Sequence, residues 1–184
     1  QSADPLERYD TPAWCTRAIL PMLGPLAGKR ILEPSAGRGA IVKALLVAGA
    51  APEQIEAVEM HSGRRMEIPL VSHIECADFI TWTPLFGSPD LVVMNPPFSD
   101  AQAHIEHAIS LLAPGGTCAA LLRLAFVGSK GRRPFRLAYP FDLYPMASRP
   151  SFTPDGKTDS ADYAWFLFGA GHGGRFAVLE GKGS

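Results

Sequence analysis

Short apolar runs without polar alternation recur along the chain and constrain its fold more than any other feature. Runs of this kind are typical of strands that are buried on both faces of a parallel sheet. Helical patterns separate several of the runs, and this alternation predicts an α/β fold with a doubly wound sheet. The predicted strands are Ile31 to Leu32, Ile55 to Glu59, Val71 to Cys76, Leu91 to Met94, Thr117 to Phe126, Phe141 to Met146 and Tyr163 to Phe168.

Apolar residues at helical spacing predict the helices between these strands. Thr11 fits the N-cap of the first helix, because a threonine hydroxyl can accept a free backbone N–H and Pro12 then occupies the first helical position. Gly24, Gly49 and the Pro114-Gly115-Gly116 turn provide the stops. The predicted helices run from Thr11 to the residue before Gly24, from Ile41 to Gly49 and from Ala101 to Leu112.

The length and composition fit one domain. With 184 residues, of which 47% are hydrophobic, the chain is long enough for one ordinary core and short for two. No linker or internal repeat divides it, so we expect a single domain over residues 1–184. The basic segment Gly128 to Arg136 is predicted to begin a helix or a loop. The polar segment Thr153 to Ala161 is predicted to be a surface loop.

The composition also excludes several classes of protein. No apolar run approaches the ~18 residues that a membrane span needs. Cys15, Cys76 and Cys118 are widely spaced, and no signal-peptide pattern begins the chain, so we expect a cytoplasmic protein. The five histidines form no ligand pattern, and we predict no metal site. A net charge of −1 neither favours nor excludes a nucleic-acid partner.

A glycine-containing turn follows the first predicted strand. Gly37 and Gly39 would let the backbone approach a ligand closely at the start of a helix. The spacing is not G-x-G-x-x-G, and no G-K-[ST] follows it, which disfavours NAD and nucleoside triphosphates. Another adenosine-bearing cofactor remains open.

Acidic residues follow the second and third predicted strands. Glu59 lies ~20 residues beyond the glycine turn, where a carboxylate can bind both hydroxyls of a ribose. Asp78 can accept a hydrogen bond from an adenine amino group, and the Phe79 ring can stack on the base. Ligands of doubly wound folds bind beyond the carboxyl ends of the strands, so together these residues predict an adenosine pocket.

The tetrapeptide Asn95-Pro96-Pro97-Phe98 follows the fourth predicted strand. Two prolines hold the backbone extended, so the Pro96 carbonyl and the Asn95 side-chain oxygen are two fixed acceptors. If both hydrogens of a conjugated NH2 group bind such acceptors, the nitrogen can pyramidalise, and the positive charge that develops during methyl transfer is stabilised. Phe98 would hold the plane of the substrate by stacking.

With these motifs the sequence resembles the S-adenosylmethionine-dependent methyltransferases of amino groups, in particular the DNA adenine-N6 methyltransferases and their small phage-type members. The resemblance covers roughly Tyr9 to Phe168. Asn95 to Phe98 match the family's [DNS]-P-P-[YFW] catalytic motif, and Leu32 to Gly39 resemble its first cofactor motif. Tyr9 to Pro12 resemble its Y-x-T-P stretch. Arg149 to Phe152, with Asp162 to Phe166 after them, resemble a late motif.

The resemblance implies a Rossmann-like, seven-stranded methyltransferase sheet and S-adenosyl-L-methionine as the cofactor. It implies that methyl transfer to N6 of adenine is catalysed by Asn95, Pro96, Pro97 and Phe98. The implied cofactor-binding residues are Tyr9, Thr11, Pro12, Glu33, Pro34, Ser35, Ala36, Gly37, Gly39, Glu59, Met60, Asp78, Phe79 and Asn95.

The partner that the resemblance implies is DNA with the target adenine flipped out of the duplex. The base would lie between the rings of Phe98 and Phe152. The implied phosphate contacts, which would make affinity depend on salt, are Lys130, Arg132, Arg133, Arg136 and Arg149. A separate target-recognition region is missing, so we expect little or short sequence specificity, or a separate specificity partner.

Four alternatives remain open. RNA adenine can be methylated by the same motif without base flipping. A protein glutamine amide and the N4 amino group of cytosine can bind the same acceptors. A non-catalytic nucleic-acid-binding protein could also keep the fold, and Ala40, where the family commonly has an aromatic residue, fits that alternative.

Overall fold

The computed structural model describes residues 10–65, 68, 71, 73–128, 130–152 and 159–181. Within these residues seven strands form one sheet in the order β3-β2-β1-β4-β5-β7-β6. The first five strands pair in parallel, and β7 is antiparallel to both of its neighbours. The strands are β1 (Ile31–Glu33), β2 (Ile55–Val58), β3 (His73–Glu75), β4 (Leu91–Met94), β5 (Thr117–Arg123), β6 (Phe141–Pro145) and β7 (Tyr163–Gly169). The predicted α/β class, strand set and sheet are confirmed.

Helices cover both faces of this sheet. They are α1 (Ala13–Leu23), α2 (Ala40–Val47), α3 (Ser62–Arg65), α4 (Ala101–Leu111) and α5 (Arg133–Ala138), with 3-10 turns at Pro52–Gln54, Phe79–Thr81, Leu124–Gly128 and Lys130–Arg132. The three helices predicted from periodicity are confirmed to within two residues at their ends. The basic segment contains a 3-10 turn and the start of α5. The sequence analysis did not identify α3.

Alternate residues of β4 belong to two separate hydrophobic cores. Leu91 and Val93 pack with α1 and α2 on one face, whereas Val92 and Met94 pack with α4 and α5 on the other. All of these β4 residues are fully buried. This burial on both faces explains why the strand shows no polar alternation in the sequence.

Two predicted boundaries were wrong. The first helix begins at Ala13 with Pro12 at the N-cap and without a side-chain cap, because the Thr11 hydroxyl is hydrogen-bonded elsewhere. The fifth strand ends at Arg123 instead of Phe126. Its partner β7 begins at Tyr163, opposite Arg123. Beyond this pair, the Leu124 N–H donates to the Asp162 carbonyl in the segment that precedes β7.

The last described residues extend the sheet beyond β6. The backbone at Leu143 and Met146 pairs in parallel with Phe176 and Leu179. The Leu179 side chain is buried, while Phe176 is 65% exposed. This segment covers the edge of β6, and the sequence analysis did not predict it. No helix within the described residues is long and apolar enough to cross a membrane.

Asp142 on β6 holds the turn that leads into this edge segment. Its carboxylate is buried and accepts hydrogen bonds from the backbone N–H groups of Gly173, Gly174 and Arg175. The His172 ring and the Arg175 guanidinium also contact it, at 2.7 and 2.8 Å. Burial would raise the pKa of Asp142, but these donors outweigh it and hold the pKa well below its usual range.

We predict that Asp142→Asn lowers the free energy of unfolding by about 2 kcal/mol, because an amide cannot accept from all of these donors. The wild-type contribution should be fully present at neutral pH and should fall as the pH drops from about 4 towards the depressed pKa. Urea unfolding at several pH values measures both effects. The exposed Asp10→Asn is the control, and an equal loss in both variants would contradict the prediction.

Candidate active site

The parallel pairing brings the carboxyl ends of β1 to β5 to one edge of the sheet. The glycine turn, Glu59, Asp78 and Asn95 follow β1, β2, β3 and β4, so they share this edge. Tyr163 joins it from the other direction, since antiparallel β7 begins where β5 ends. The sequence-predicted residues are therefore gathered where a doubly wound sheet binds its ligands.

The glycine turn between β1 and α2 requires its glycines. Gly37 and Gly39 have φ angles of 55° and 75°, a left-handed conformation that side chains disfavour. The Gly39 N–H donates to the Ala36 carbonyl at 2.7 Å, and the Ala36 N–H donates to Val58 on β2 at 3.0 Å. These bonds fix the turn immediately before α2. Pro34 is buried and Ser35 is half-buried.

Glu59 links the glycine turn to the segment after β2. One carboxylate oxygen accepts the Gly37 N–H at 2.8 Å, and the other accepts the His61 N–H at 2.9 Å. The residue is 5% exposed. Arg64 on α3 approaches the carboxylate to 3.9 Å. A buried carboxylate is thus held beside the turn that would carry an adenosine ligand.

Glu33 has a structural partner at the start of α2. It is 1% exposed, and its carboxylate accepts the Val42 N–H at 3.0 Å. The first N–H groups of a helix have no partner within the helix, so this bond satisfies one of them. Burial raises the pKa of Glu33 well above its usual value, and the neighbouring Glu59 adds to the rise.

The segments after β2 and β3 place only some predicted residues towards solvent. The Asp78 carboxylate is exposed and accepts the Ile80 N–H at 3.0 Å. Met60 is 56% exposed. Phe79 is only 2% exposed, and its ring packs 4.9 Å from that of His107. Its predicted stacking on a base is corrected to a packing role, because the turn capped by Asp78 directs the ring into the core.

Asn95 has one bonded and one unbonded polar atom. Its Nδ2 donates to the Thr11 hydroxyl at 3.1 Å, across 84 residues of chain. Its Oδ1 is buried and has no hydrogen-bond partner among the described residues. Thr11 itself is 5% exposed, so the bond is shielded from water. Pro96 is buried and Pro97 is half-buried, which keeps the following turn rigid.

The rings of Phe98 and Phe152 both lie near Tyr163. The Phe98 ring lies 5.9 Å from the Tyr163 ring, and the Phe152 ring lies 4.9 Å from Tyr163. Phe152 is 6% exposed and belongs to the core. Both rings lie beside Tyr163, and the predicted placement of a base between Phe98 and Phe152 stays a prediction. The Arg123 guanidinium lies 4.6 Å over the Phe98 ring.

The predicted basic residues differ in their contacts. Arg132 and Arg136 donate to the carbonyls of Phe126 and Val127 and so stabilise the turn after β5. Lys130 and Arg133 are exposed and form no ion pair with any residue that the structure describes. Arg149 pairs with Asp162 at 2.8 Å, with both side chains about half exposed.

Two further predicted residues lie at the amino end of the described chain. Pro12 is half-buried, and its carbonyl accepts the Cys15 N–H at 2.9 Å. Tyr9 lies outside the described residues, as does most of the predicted Thr153 to Ala161 loop. The sequence analysis missed Arg123, Asp159 and Tyr163 as members of this edge. The available signals for Tyr163 were its position at the start of a predicted strand and its place in the Asp162 to Phe166 stretch of the late motif.

No group of histidine, cysteine, aspartate and glutamate side chains that could hold a metal ion occurs in the described part of the chain. No protein-family model matches the chain, and no curated protein matches it in sequence. Solved structures do match its fold.

The fold is similar to the modification subunit of a candidate type I restriction enzyme from Vibrio vulnificus, with a TM-score of 0.69 and 16% identity. That similarity covers 97% of this chain and 48% of the subunit, so the chain spans about half of the subunit's length. A candidate RNA methyltransferase from Pyrococcus horikoshii has a TM-score of 0.71 and 17% identity, over 89% of this chain and 86% of that one.

A candidate class I S-adenosylmethionine-dependent methyltransferase from Listeria monocytogenes is also similar in fold, with a TM-score of 0.68 and 13% identity. It matches over 97% of this chain and 68% of its own. At these identities the similarities establish a Rossmann-like methyltransferase fold. The substrate and the activity must be inferred from the residues of the site.

We predict that Glu59→Gln lowers the free energy of unfolding by about 1–2 kcal/mol, because an amide accepts one of the two N–H groups and turns its own NH2 towards the other. Urea unfolding measures the change. Glu53→Gln is the matched control, since Glu53 is exposed. Equal stability of the two variants would show that Glu59 does not hold the glycine turn.

Proposed function

We propose that the protein transfers the methyl group of S-adenosyl-L-methionine to the N6 amino group of adenine in DNA. The observation that carries this proposal is the Asn95 Oδ1 atom, a buried acceptor without a partner among the described residues. Leaving such an acceptor unsatisfied costs about 1–3 kcal/mol, so an amino group that donates to it gains free energy on binding.

The residues at the carboxyl ends of β1, β2 and β3 fit the methyl donor. Gly37 and Gly39 leave space for a ligand close to the backbone, and Glu59 is held beside them. A carboxylate at this place can accept hydrogen bonds from ribose hydroxyls. The exposed Asp78 can accept from the adenine amino group of the donor. When bound, the donor supplies a methyl group on a positively charged sulfur.

Asn95 and Pro96 can activate the amino group that receives the methyl group. With one hydrogen on Asn95 Oδ1 and the other on the Pro96 carbonyl, the amino nitrogen regains its lone pair and can form the new N–C bond. The bond between the methyl carbon and the sulfur would break in the same step, and its electron pair would stay on the sulfur, which leaves as a neutral thioether. The nitrogen then carries positive charge, which the two oxygens stabilise until a proton leaves to water. No general base is needed for the attack. Phe98, which is half-buried, provides a ring against which the base can stack.

DNA is favoured as the substrate by the resemblance of the motifs and by cations at the same edge. Lys130 and Arg133 are exposed and can contact phosphates. The fold similarity to a modification subunit of a type I restriction enzyme fits this substrate.

RNA adenine is the second candidate substrate. The fold similarity to a candidate RNA methyltransferase over 86% of its length favours it. An unpaired base in RNA would reach Asn95 without the cost of base flipping.

The proposal is tested by labelled methyl transfer to double-stranded DNA, single-stranded DNA, RNA and protein, followed by nucleoside mass spectrometry. We expect label in N6-methyladenine of DNA. Asn95→Ala should lower kcat by about 100- to 1000-fold, as removal of one preorganised hydrogen bond to developing charge does elsewhere. Label in RNA alone, in N4-methylcytosine or in glutamine would contradict the assignment.

The Thr11 hydroxyl should position Asn95 during catalysis. We predict that Thr11→Val, which keeps the shape but removes the hydroxyl, lowers kcat by about 10- to 100-fold because Asn95 loses its orientation. Thr11→Ser restores the hydroxyl and should recover most of the activity. Steady-state kinetics of the two variants measure the effect, and equal rates for both would exclude a positioning role.

A further inference from the structure

Arg123 contacts the Asn95-Pro96-Pro97-Phe98 segment through the Phe98 ring. It is the last residue of β5, next to β4 in the sheet. Its guanidinium carbon lies 4.6 Å from the centre of the Phe98 ring. A guanidinium over an aromatic face is attracted by the electron density of the ring. Arg123 therefore holds the ring that is proposed to contact the substrate.

Two residues on the other side hold Arg123 itself. Its Nε donates to the Tyr163 hydroxyl at 3.2 Å, and its Nη2 lies 3.4 Å from the Asp159 carboxylate. The Tyr163 hydroxyl donates to the same carboxylate at 2.6 Å. Burial would raise the pKa of Asp159, but the bonds from Tyr163 and Ala161 and the charge of Arg123 outweigh it and lower that pKa. The carboxylate is thus charged at neutral pH and anchors the guanidinium.

These contacts leave part of the Arg123 guanidinium available to bind a ligand. Nη1 makes no hydrogen bond with any residue in the described ranges, and the side chain is 46% exposed. An arginine has five donors in a planar fork, and the two hydrogen bonds above use one edge of it, through Nε and Nη2. The other end can bind an anion with two oxygens, such as a phosphate.

We propose that Arg123 is a substrate-positioning residue that binds a DNA phosphate next to the target nucleotide and holds the Phe98 ring against the base. This inference rests on the proposed function. A nucleotide whose base reaches Asn95 must bring its own phosphates to the rim of the same site, because base, sugar and phosphate are covalently joined. A cation fixed at that rim selects a nucleotide over a free base or a protein amide.

The other basic residues near this edge are less suited to bind a phosphate and hold the Phe98 ring. Arg132 and Arg136 are engaged with backbone carbonyls in the turn after β5. Lys130 and Arg133 are exposed, and among the described residues Arg123 is the cation that lies over the Phe98 ring. They fit general attraction of DNA, whereas Arg123 is linked to the ring beside the acceptor.

The test measures binding of a single-stranded, adenine-containing DNA oligonucleotide at several salt concentrations without methyl donor. The slope of log K against log salt falls by about 0.7 for each phosphate that the protein no longer neutralises. We expect this decrease for Arg123→Gln and an unchanged slope for Arg123→Lys, which keeps the charge. Arg17→Gln is the control, because Arg17 is exposed on α1. A wild-type slope in Arg123→Gln, or no salt-dependent binding by the wild type, would overturn the proposal.

A second variant separates positioning from charge. Tyr163→Phe removes the hydroxyl that orients Arg123 but keeps the cation, so it should preserve the salt slope and lower kcat more than it raises KM. If Tyr163 had a purely structural role, Tyr163→Phe would lower thermal stability without lowering kcat more than it raises KM. That result would overturn the positioning role.

The outcomes also distinguish this inference from the proposed function. If the slope falls in Arg123→Gln but no adenine is methylated, the phosphate contact stands and the proposed function fails. If adenine is methylated and the slope is unchanged, the proposed function stands and the Arg123 inference fails.

Discussion

Parallel pairing of the first five strands is the constraint on which the site depends. Each parallel connection returns the chain to the same end of the sheet, so every segment that follows one of these strands emerges at one edge. Glu59 and Gly37 lie 22 residues apart in sequence and meet through a hydrogen bond of 2.8 Å. Asn95 emerges from the neighbouring strand, and antiparallel β7 brings Tyr163 to the same edge. Burial of the strands on both faces fixes this arrangement, because a shift of one residue would exchange the two cores.

At this edge of the sheet, a hydrogen bond fixes the orientation of the Asn95 side-chain amide. The Thr11 hydroxyl accepts the NH2 group of Asn95, which leaves the side-chain oxygen buried without a partner among the described residues. Buried polar atoms are almost always hydrogen-bonded, so an exception at the end of a central strand indicates a binding site. The Pro96-Pro97 sequence keeps the backbone rigid around it. On the opposite side, Arg123 and Tyr163 hold the Phe98 ring. The unbonded oxygen, the ring and the cation therefore lie at the same edge of the sheet, where we propose that a nucleotide binds.

The sequence predicted the elements better than their contacts. The strands and the three periodic helices follow from local patterns of burial, and the structure confirms them. Phe79 was predicted to stack on a base because it follows Asp78, but a 3-10 turn directs its ring into the core. Phe152 was predicted to face Phe98 across a base, which stays a prediction, and the contact of both rings with Tyr163 was not predicted. Arg123 was missed because its significance arises from pairing between β5 and β7, which no local pattern reveals. The roles of Asn95, Glu59 and the basic residues stay predictions.

The central claim is that Asn95 Oδ1 binds the amino group that becomes methylated, and a double-mutant cycle between protein and substrate tests it most directly. Binding is measured for wild type and Asn95→Ala with two oligonucleotides that carry either adenine or purine, which lacks the amino group, at the target position. The account predicts a coupling energy of about 1–3 kcal/mol between Asn95 and that amino group. A coupling energy of zero, with both oligonucleotides weakened equally by Asn95→Ala, would contradict it.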